Sequence, residues 1–156
     1  MYTTFTIMQS KSKSGRTKTI FLCASMNFYK ELVEVGEKLE KKGWEVELPV
    51  SAKLMKKQND FEVSHFKGTF SYQQKGEFIQ ANFKNIAKGN AILVINGEKN
   101  GIQGYIGANV LMEIGLSFYL GKKIYIWNPI DESASHKEEL LAFGVIFVNK
   151  DLSKIQ

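Results

Sequence analysis

The sequence predicts an α/β fold in which helices cover both faces of a five-stranded parallel sheet, and three observations support this. Short apolar runs rich in β-forming residues alternate along the chain with segments of helical periodicity. The central runs are apolar throughout, as in strands that are buried on both faces. The segments between successive strands suit crossover helices, which make right-handed units. The simplest arrangement is a flavodoxin-like (Rossmann-like) three-layer sandwich.

The first half of the chain is predicted to contain two strands and two helices. TIFLC (19–23) is short, apolar and β-forming, and apolar residues then recur at helical spacing over 28–39 until a glycine ends the helix. WEVELP (44–49) alternates and runs into a proline, which suits an edge strand. Residues 51–70 show no clear period and are predicted to form a loop or lid. Helical spacing resumes over 71–88.

The second half continues the alternation. The continuous apolar run 91–95 predicts a strand, and a Gly-rich turn leads from it into the apolar helix 108–121. KIYIWN (123–128) predicts the fourth strand. A short helix is predicted over 138–143, and VIFV (145–148) predicts the last strand.

Length and composition favour one folded domain with a basic leader. A chain of 156 residues with 44% hydrophobic content can bury one core but is too short for two ordinary domains. Residues 1–17 are predicted to form a disordered basic leader, and residues 18–156 a single domain. The net charge is +5, but residues 1–18 hold four basic and no acidic residues, so the remainder carries 17 basic against 16 acidic side chains. Nucleic-acid binding rests mainly on the leader and is the weakest functional hypothesis.

Several classes of protein and site are disfavoured by what the sequence lacks. No apolar run approaches the ~20 residues of a membrane span, and the N-terminus has no signal-peptide core, so we expect a soluble, cytoplasmic protein without a membrane partner. The single cysteine, Cys23, is expected to be a buried thiol. His65 and His136 have no Cys or carboxylate partners at ligand spacing, so no metal site is expected. Dinucleotide-binding and P-loop motifs are absent, and no cofactor is expected.

Glu113 is the foremost candidate for chemistry. It is the only charged residue in VLMEIGLSFYL (110–120), a helical segment that is apolar almost all round and is therefore predicted to be buried. Burying a lone carboxylate is costly unless it is paired or hydrogen-bonded, so its presence indicates function. Asn109 and Ser117 lie one turn before and one turn after it, on the same face. The alternative is a glutamate that braces the Gly-rich loop before the helix.

The loops after the strands offer further candidates, because open parallel sheets bind ligands beyond the carboxyl ends of their strands. Gly101, Gly104 and Gly107 recur at every third residue before the helix of Glu113; they can cradle a phosphate or be ordinary turn glycines. Ser25 and Asn27 follow the first strand, where they can bind a phosphate or cap the next helix, and capping is the simpler role for Asn27. Spacing alone leaves these alternatives open.

Three segments of the chain resemble the nucleoside 2-deoxyribosyltransferase family. They are TIFLCASMNFYKE (19–31), GNAILVIN (89–96) and YIGANVLMEIGLSFYLGKKIYIWNP (105–129), and the resemblance extends from about residue 19 to residue 155. It implies a flavodoxin-like fold. The family includes deoxynucleoside 5′-monophosphate N-glycosidases. The resemblance therefore also implies cleavage or transfer at the N-glycosidic bond of a (deoxy)nucleoside or nucleoside 5′-monophosphate.

The resemblance implies roles for particular residues. Glu113, in GANVLMEIG, occupies the place of the family's nucleophile on the sugar C1′, and Ser25 that of a contact to a 5′-phosphate or hydroxyl. Asn90 stands where the family usually carries an aspartate that handles the leaving base; an asparagine can hydrogen-bond a base but cannot protonate it. Asn27 stands where phosphate-using relatives tend to place an arginine. Together with Ser25 and Asn27, the predicted substrate contacts are Phe21, Asn96, Tyr105, Gly107 and Asn109.

The implied mechanism is nucleophilic catalysis at an anomeric carbon. Attack by Glu113 gives a glycosyl-enzyme ester that either water or a second base resolves, so hydrolysis and transfer both stay open. A homodimer or larger homo-oligomer is implied because relatives complete their active sites with a neighbouring subunit. The competing hypothesis is a non-catalytic nucleotide-binding or sensing module of the same fold, which Asn90 favours.

Overall fold

The computed structural model describes residues 15–156, and within that range strands and helices alternate. In chain order the elements are β1 (Thr19–Cys23), α1 (Tyr29–Lys41), β2 (Glu45–Glu47), α2 (Val50–Gln58), α3 (Tyr72–Lys88), β3 (Ala91–Val94), β4 (Gly97–Lys99), β5 (Ile102–Tyr105), α4 (Ala108–Tyr119), β6 (Lys123–Ile126), α5 (Lys137–Ala142) and β7 (Ile146–Phe147). None of these helices is long and apolar enough to cross a bilayer.

Five of the strands form one parallel sheet in the order β2-β1-β3-β6-β7, while β4 and β5 form a separate antiparallel hairpin. The flavodoxin-like order predicted from the sequence is therefore confirmed. The register aligns the carboxyl ends of the central strands, because Cys23 pairs with Val94 and Val94 pairs with Ile126. The loops that leave these strands consequently meet at one edge of the sheet.

The core has two apolar layers, one on each face of the sheet, and β1 supplies both. Ile20 and Leu22 pack in the layer that α1 and α2 cover, whereas Phe21 and Cys23 pack in the layer that α3, α4 and α5 cover. All four side chains are fully buried. The alternation follows from the pleat, which points successive side chains to opposite faces. Burying an aliphatic or aromatic side chain of this size is worth about 1.5–3 kcal/mol, so these layers hold the sheet between its helices.

The prediction of a loop over 51–70 is wrong in its first half. Helix α2 occupies Val50–Gln58; it starts directly after Pro49 and ends at Asn59, whose φ of 50° is left-handed. Only Ala52 and Met55 are buried in it. Two buried positions in nine residues give too short a periodic signal to separate a helix from a loop.

The Gly-rich segment after β3 also differs from its prediction, because it contains the β4–β5 hairpin rather than a simple turn. Its tight turn is Asn100-Gly101, and both residues have positive φ. Asn-Gly is the pair that such two-residue hairpin turns favour. The predicted leader comprises residues 1–17, of which 1–14 lie outside the described residues.

Candidate active site

A cavity of about 420 Å³ opens at the carboxyl edge of the sheet. Its walls come from the loop after β1 with the first residue of α1, the start of α2 with the residue before it, the stretch 70–82 that runs into α3, and the start of α4 with the residue before it. Residues from all four segments line it: Ala24, Ser25, Met26, Tyr29, Pro49, Ser51, Phe70, Lys75, Phe78, Ile79, Asn82, Gly107, Ala108, Asn109, Val110 and Glu113. This is the position at which open parallel sheets bind ligands.

Glu113 lies in the second turn of α4 and is the only carboxylate among the described residues that line this cavity. Its side chain is 6% exposed. Burial raises the pKa of Glu113 from 4.5 to about 7, while hydrogen bonds from Asn82 and Cys23 act in the opposite direction. Desolvation dominates because a carboxylate loses its hydration when it is buried. A carboxylate of this kind is poised between its neutral and charged forms at neutral pH.

Asn82 forms a hydrogen bond with the carboxylate of Glu113. Its Nδ2 donates to Glu113 Oε1 over 3.2 Å, and its Oδ1 accepts the backbone N–H of Val50 over 3.3 Å. Because the Val50 N–H can only donate, the amide must present its NH₂ group to the carboxylate. On the other side, the fully buried Ser117 hydroxyl donates to the carbonyl oxygen of Glu113 over 2.7 Å. Asn82 therefore orients the carboxylate, while Ser117 bonds only its backbone.

The rest of the cavity lining combines aromatic rings with one polar pair. Phe70 and Phe78 meet edge to face with ring centroids 5.0 Å apart. The Tyr29 and Ser51 hydroxyls lie 2.8 Å from each other. Burial raises the pKa of Tyr29 to about 12, although the bond to Ser51 opposes that shift. Tyr29 therefore stays a neutral phenol, which can donate a hydrogen bond to a ligand but is a poor source of protons.

Four of the residues predicted from the sequence border this cavity: Ser25, Gly107, Asn109 and Glu113. Tyr105 lies just outside it, with its ring beside Gly107. Asn27 is exposed and accepts a long bond of 3.5 Å from the Ser25 hydroxyl. It does not cap α1, whose N-cap residue is Phe28 and whose start has no side-chain cap bond.

Asn90 is not part of this site, so its predicted contact with the leaving base is wrong. It precedes β3 and therefore lies at the amino edge of the sheet, opposite the edge that holds Glu113. Its Oδ1 accepts the backbone N–H of Thr19 over 2.9 Å, which ties β1 to the start of β3. The residue is structural, and the amide that meets Glu113 is that of Asn82.

Phe21 and Asn96 also prove to be structural rather than substrate contacts. Phe21 is fully buried in the middle of β1 and has no surface to offer a ligand. Asn96 is fully buried as well; its Nδ2 donates to the carbonyl oxygens of Gly104 (3.2 Å) and Asn128 (2.9 Å), and its Oδ1 accepts the Asn128 N–H (2.8 Å). It fastens the hairpin to the loop after β6.

Sequence reasoning missed Asn82, Tyr29 and Ser51. A signal existed for Asn82, since it lies three residues after Ile79 and four before Ile86, on the apolar stripe of α3. A polar residue on such a stripe must find a buried partner. Tyr29 and Ser51 carried no comparable signal, because their pairing depends on how α1 and α2 pack. No group of three or more His, Cys, Asp or Glu side chains in residues 15–156 is arranged to hold a metal ion.

Comparison with known proteins identifies the fold. The Clostridium botulinum CMP N-glycosidase BcmB matches with a TM-score of 0.50 at 19% identity, over 83% of this chain and 87% of that one. A 2-deoxyribosyltransferase from Bacillus psychrosaccharolyticus matches with a TM-score of 0.49 at 20% identity, over 76% of this chain and 78% of that one. No protein-family model and no curated protein matches the chain. The resemblance found in the sequence is therefore confirmed at the level of the fold, which this chain shares with the N-glycosidase.

Proposed function

We propose that this protein cleaves or transfers at the N-glycosidic bond of a (deoxy)nucleoside or nucleoside 5′-monophosphate, with Glu113 as the nucleophile. The observation that supports this most strongly is a buried carboxylate, raised in pKa, at the wall of a cavity large enough for such a substrate. Glu113 is buried at a cost and has no cation beside it in the described part of the chain, which favours a chemical over a structural role. The resemblance in sequence and the likeness in fold to a CMP N-glycosidase point to the same bond.

In the proposed reaction, an ionised Glu113 oxygen attacks C1′ of the sugar. The new C1′–O bond forms as the C1′–N bond breaks, and the electron pair of the broken bond leaves with the base. Asn82 holds the attacking oxygen through its 3.2 Å bond. Water or a second base then displaces Glu113 from C1′, which regenerates the carboxylate. The proton that this second nucleophile loses neutralises, through solvent, the base anion released in the first step, and hydrolysis or transfer is complete.

The leaving base is proposed to be stabilised by hydrogen bonds rather than by proton transfer from a second carboxyl group. Glu113 is the sole carboxylate among the described cavity residues, and Asn82 beside it cannot protonate a base. Tyr29 and Ser51 supply hydroxyl groups on the same cavity, and the Phe70–Phe78 pair supplies an apolar surface for a flat ring. A pair of carboxyl groups, as in most glycoside hydrolases, is therefore not part of the proposal.

A second candidate function is a nucleotide-binding or sensing module without catalysis. It is favoured by one observation, that an amide and not a carboxyl group accompanies Glu113. In that case the Glu113 carboxylate accepts hydrogen bonds from sugar hydroxyls and no bond is broken.

Incubation with a panel of nucleosides, 2′-deoxynucleosides and their 5′-monophosphates, with chromatography of the free base, separates the two functions. We expect base release from at least one compound, and its loss in Glu113→Gln, which keeps the size and one acceptor oxygen but cannot be charged. Ser117→Ala is the matched control on the same helix, because that hydroxyl bonds only backbone; it should keep the activity. Retention of base release in Glu113→Gln would disprove the nucleophile. Binding without release in the wild type would favour the sensing module.

A further inference from the structure

We propose that Lys99 makes this site select 5′-phosphorylated substrates, by holding its ammonium group beside Ser25 at the edge of the cavity. The inference rests on the proposed function and names the substrate class of the same site. Lys99 is the last residue of β4, and its Nζ donates to Ser25 Oγ over 3.4 Å. Ser25 lines the cavity, so the ammonium group stands next to the space that a substrate would fill.

Lys99 is a half-buried cation whose partners are all neutral. Its Nζ lies 4.7 Å from the centroid of the Tyr105 ring, and the ring of Tyr105 in turn lies beside Gly107. Within residues 15–156 no carboxylate lies within 4 Å of this ammonium group. A surface lysine usually finds water or an acid, whereas this one is held against a hydroxyl and a ring face, with its charge uncompensated. An anionic group on the ligand would supply the missing charge.

The hairpin presents Lys99 in a fixed position. The turn Asn100-Gly101 has two residues at positive φ, the geometry of a tight two-residue connection. At the base of the hairpin, Asn96 bonds the carbonyl oxygen of Gly104 over 3.2 Å. A lysine on a braced strand loses less conformational freedom on binding than one on a mobile loop, so its contact with an anion is stronger.

The surrounding groups suit a phosphate. The Ser25 hydroxyl can donate to a phosphate oxygen, and the N–H groups of Ala108 and Asn109 lie in the first turn of α4, where they have no partner within the helix. Lysine binds phosphate as a point charge and needs no paired geometry. The other neighbour of the Ser25 hydroxyl, Asn27, is neutral and cannot supply a charge. Lys99 is therefore the cation that accompanies Ser25.

The test compares each 5′-monophosphate with its own nucleoside, both in base release and in calorimetric binding, for the wild type and four variants. Lys99→Met should lower the preference for the phosphorylated compound by about 10- to 100-fold, the usual range for a hydrogen bond to a charged group, and leave the nucleoside almost unaffected. Lys99→Arg should keep most of the preference. Lys84→Met, which removes an exposed charge from α3, is the control for net charge and should change neither compound.

Lys75 is the alternative candidate for the cation that binds the phosphate, because it also lines the cavity. It belongs to α3, and its Nζ lies 5.5 Å from the centroid of the Tyr72 ring. If Lys75→Met abolishes the preference for phosphate and Lys99→Met does not, the proposal is wrong. The proposal is also wrong if the wild type prefers the nucleoside to its 5′-monophosphate, or if it binds neither compound. If no compound releases its base, the proposed enzyme fails; the binding ratio of wild type to Lys99→Met then decides the phosphate site by itself.

Discussion

Replacing Glu113 by glutamine should stabilise the protein at high pH and not at low pH. In the folded state burial raises the pKa of Glu113 to about 7, whereas the same group in the unfolded chain titrates at its ordinary 4.5. Below pH 4.5 both states carry the proton and the carboxyl group costs nothing. Between the two values only the unfolded state releases its proton, so the folded state loses relative stability as the pH rises. Above about pH 7 the cost is complete.

The size of this cost follows from the shift in pKa. Each pKa unit is worth 1.36 kcal/mol, so a shift from 4.5 to about 7 amounts to about 3 kcal/mol. For a chain of this length that corresponds to a difference of roughly 6–12 °C in melting temperature. Glutamine also changes the hydrogen bonds to Asn82, but that contribution is the same at every pH. The free energy of unfolding of Glu113→Gln minus that of wild type is therefore measured at about pH 8 and again at about pH 4. The change in this difference between the two pH values is the predicted quantity.

Thermal or urea unfolding followed by circular dichroism measures this quantity. Glu34→Gln is the matched control, because Glu34 is exposed on α1 and its replacement should change stability by less than about 0.5 kcal/mol at both pH values. A stability difference for Glu113→Gln that is independent of pH would refute the reasoning. It would mean that the carboxylate keeps its hydration and that the cavity is wetter than its burial indicates.

Three further predictions concern neighbouring positions. With a nucleoside substrate, kcat/KM should rise with pH through about 7, because the ionised form of Glu113 is the nucleophile. Asn82→Ala removes a donor to the Glu113 carboxylate and should move the midpoint of that rise upward by about one pH unit. A fall in kcat/KM over this pH range would make Glu113 a general acid instead. Asn90→Asp should leave base release unchanged, and a gain of tenfold or more would return Asn90 to the site. Gly104→Ala should lower the free energy of unfolding by roughly 2–5 kcal/mol, because Gly104 has a φ of 65° and an added Cβ meets the backbone of the loop after β6. The control is Gly115→Ala on α4, where an added Cβ meets no atom within 4 Å; it should be neutral or stabilising.

The sheet could be predicted because its signal is local and strong. The run 91–95 is continuously apolar and 19–23 nearly so, which is what burial on both faces requires, and the helices between the strands leave few possible orders. The antiparallel hairpin escaped prediction because its strands, Gly97–Lys99 and Ile102–Tyr105, are short and glycine-rich and have no alternating apolar face. Helix α2 escaped because only two of its residues are buried.

The site could be predicted only where a single segment carried the signal. Glu113 stands out within its own helix, and Ser25 and Gly107 follow from the rule that ligands bind beyond the carboxyl ends of strands. The same rule argues against Asn90, which precedes its strand and so lies at the amino edge. The position of Asn82 on the apolar stripe of α3 indicated a buried polar group, but its pairing with Glu113 depends on how α3 packs against α4, which no local pattern reveals.

The role of Glu113 as a nucleophile is tested most directly by trapping the sugar on the protein. A reaction with the nucleoside or nucleotide that releases its base is quenched in acid, digested and examined by mass spectrometry. We expect a peptide containing Glu113 to gain the mass of the glycosyl group, and no such gain in Glu113→Gln. Base release by the wild type with the sugar attached to another residue, or undiminished base release by Glu113→Gln, would contradict the mechanism.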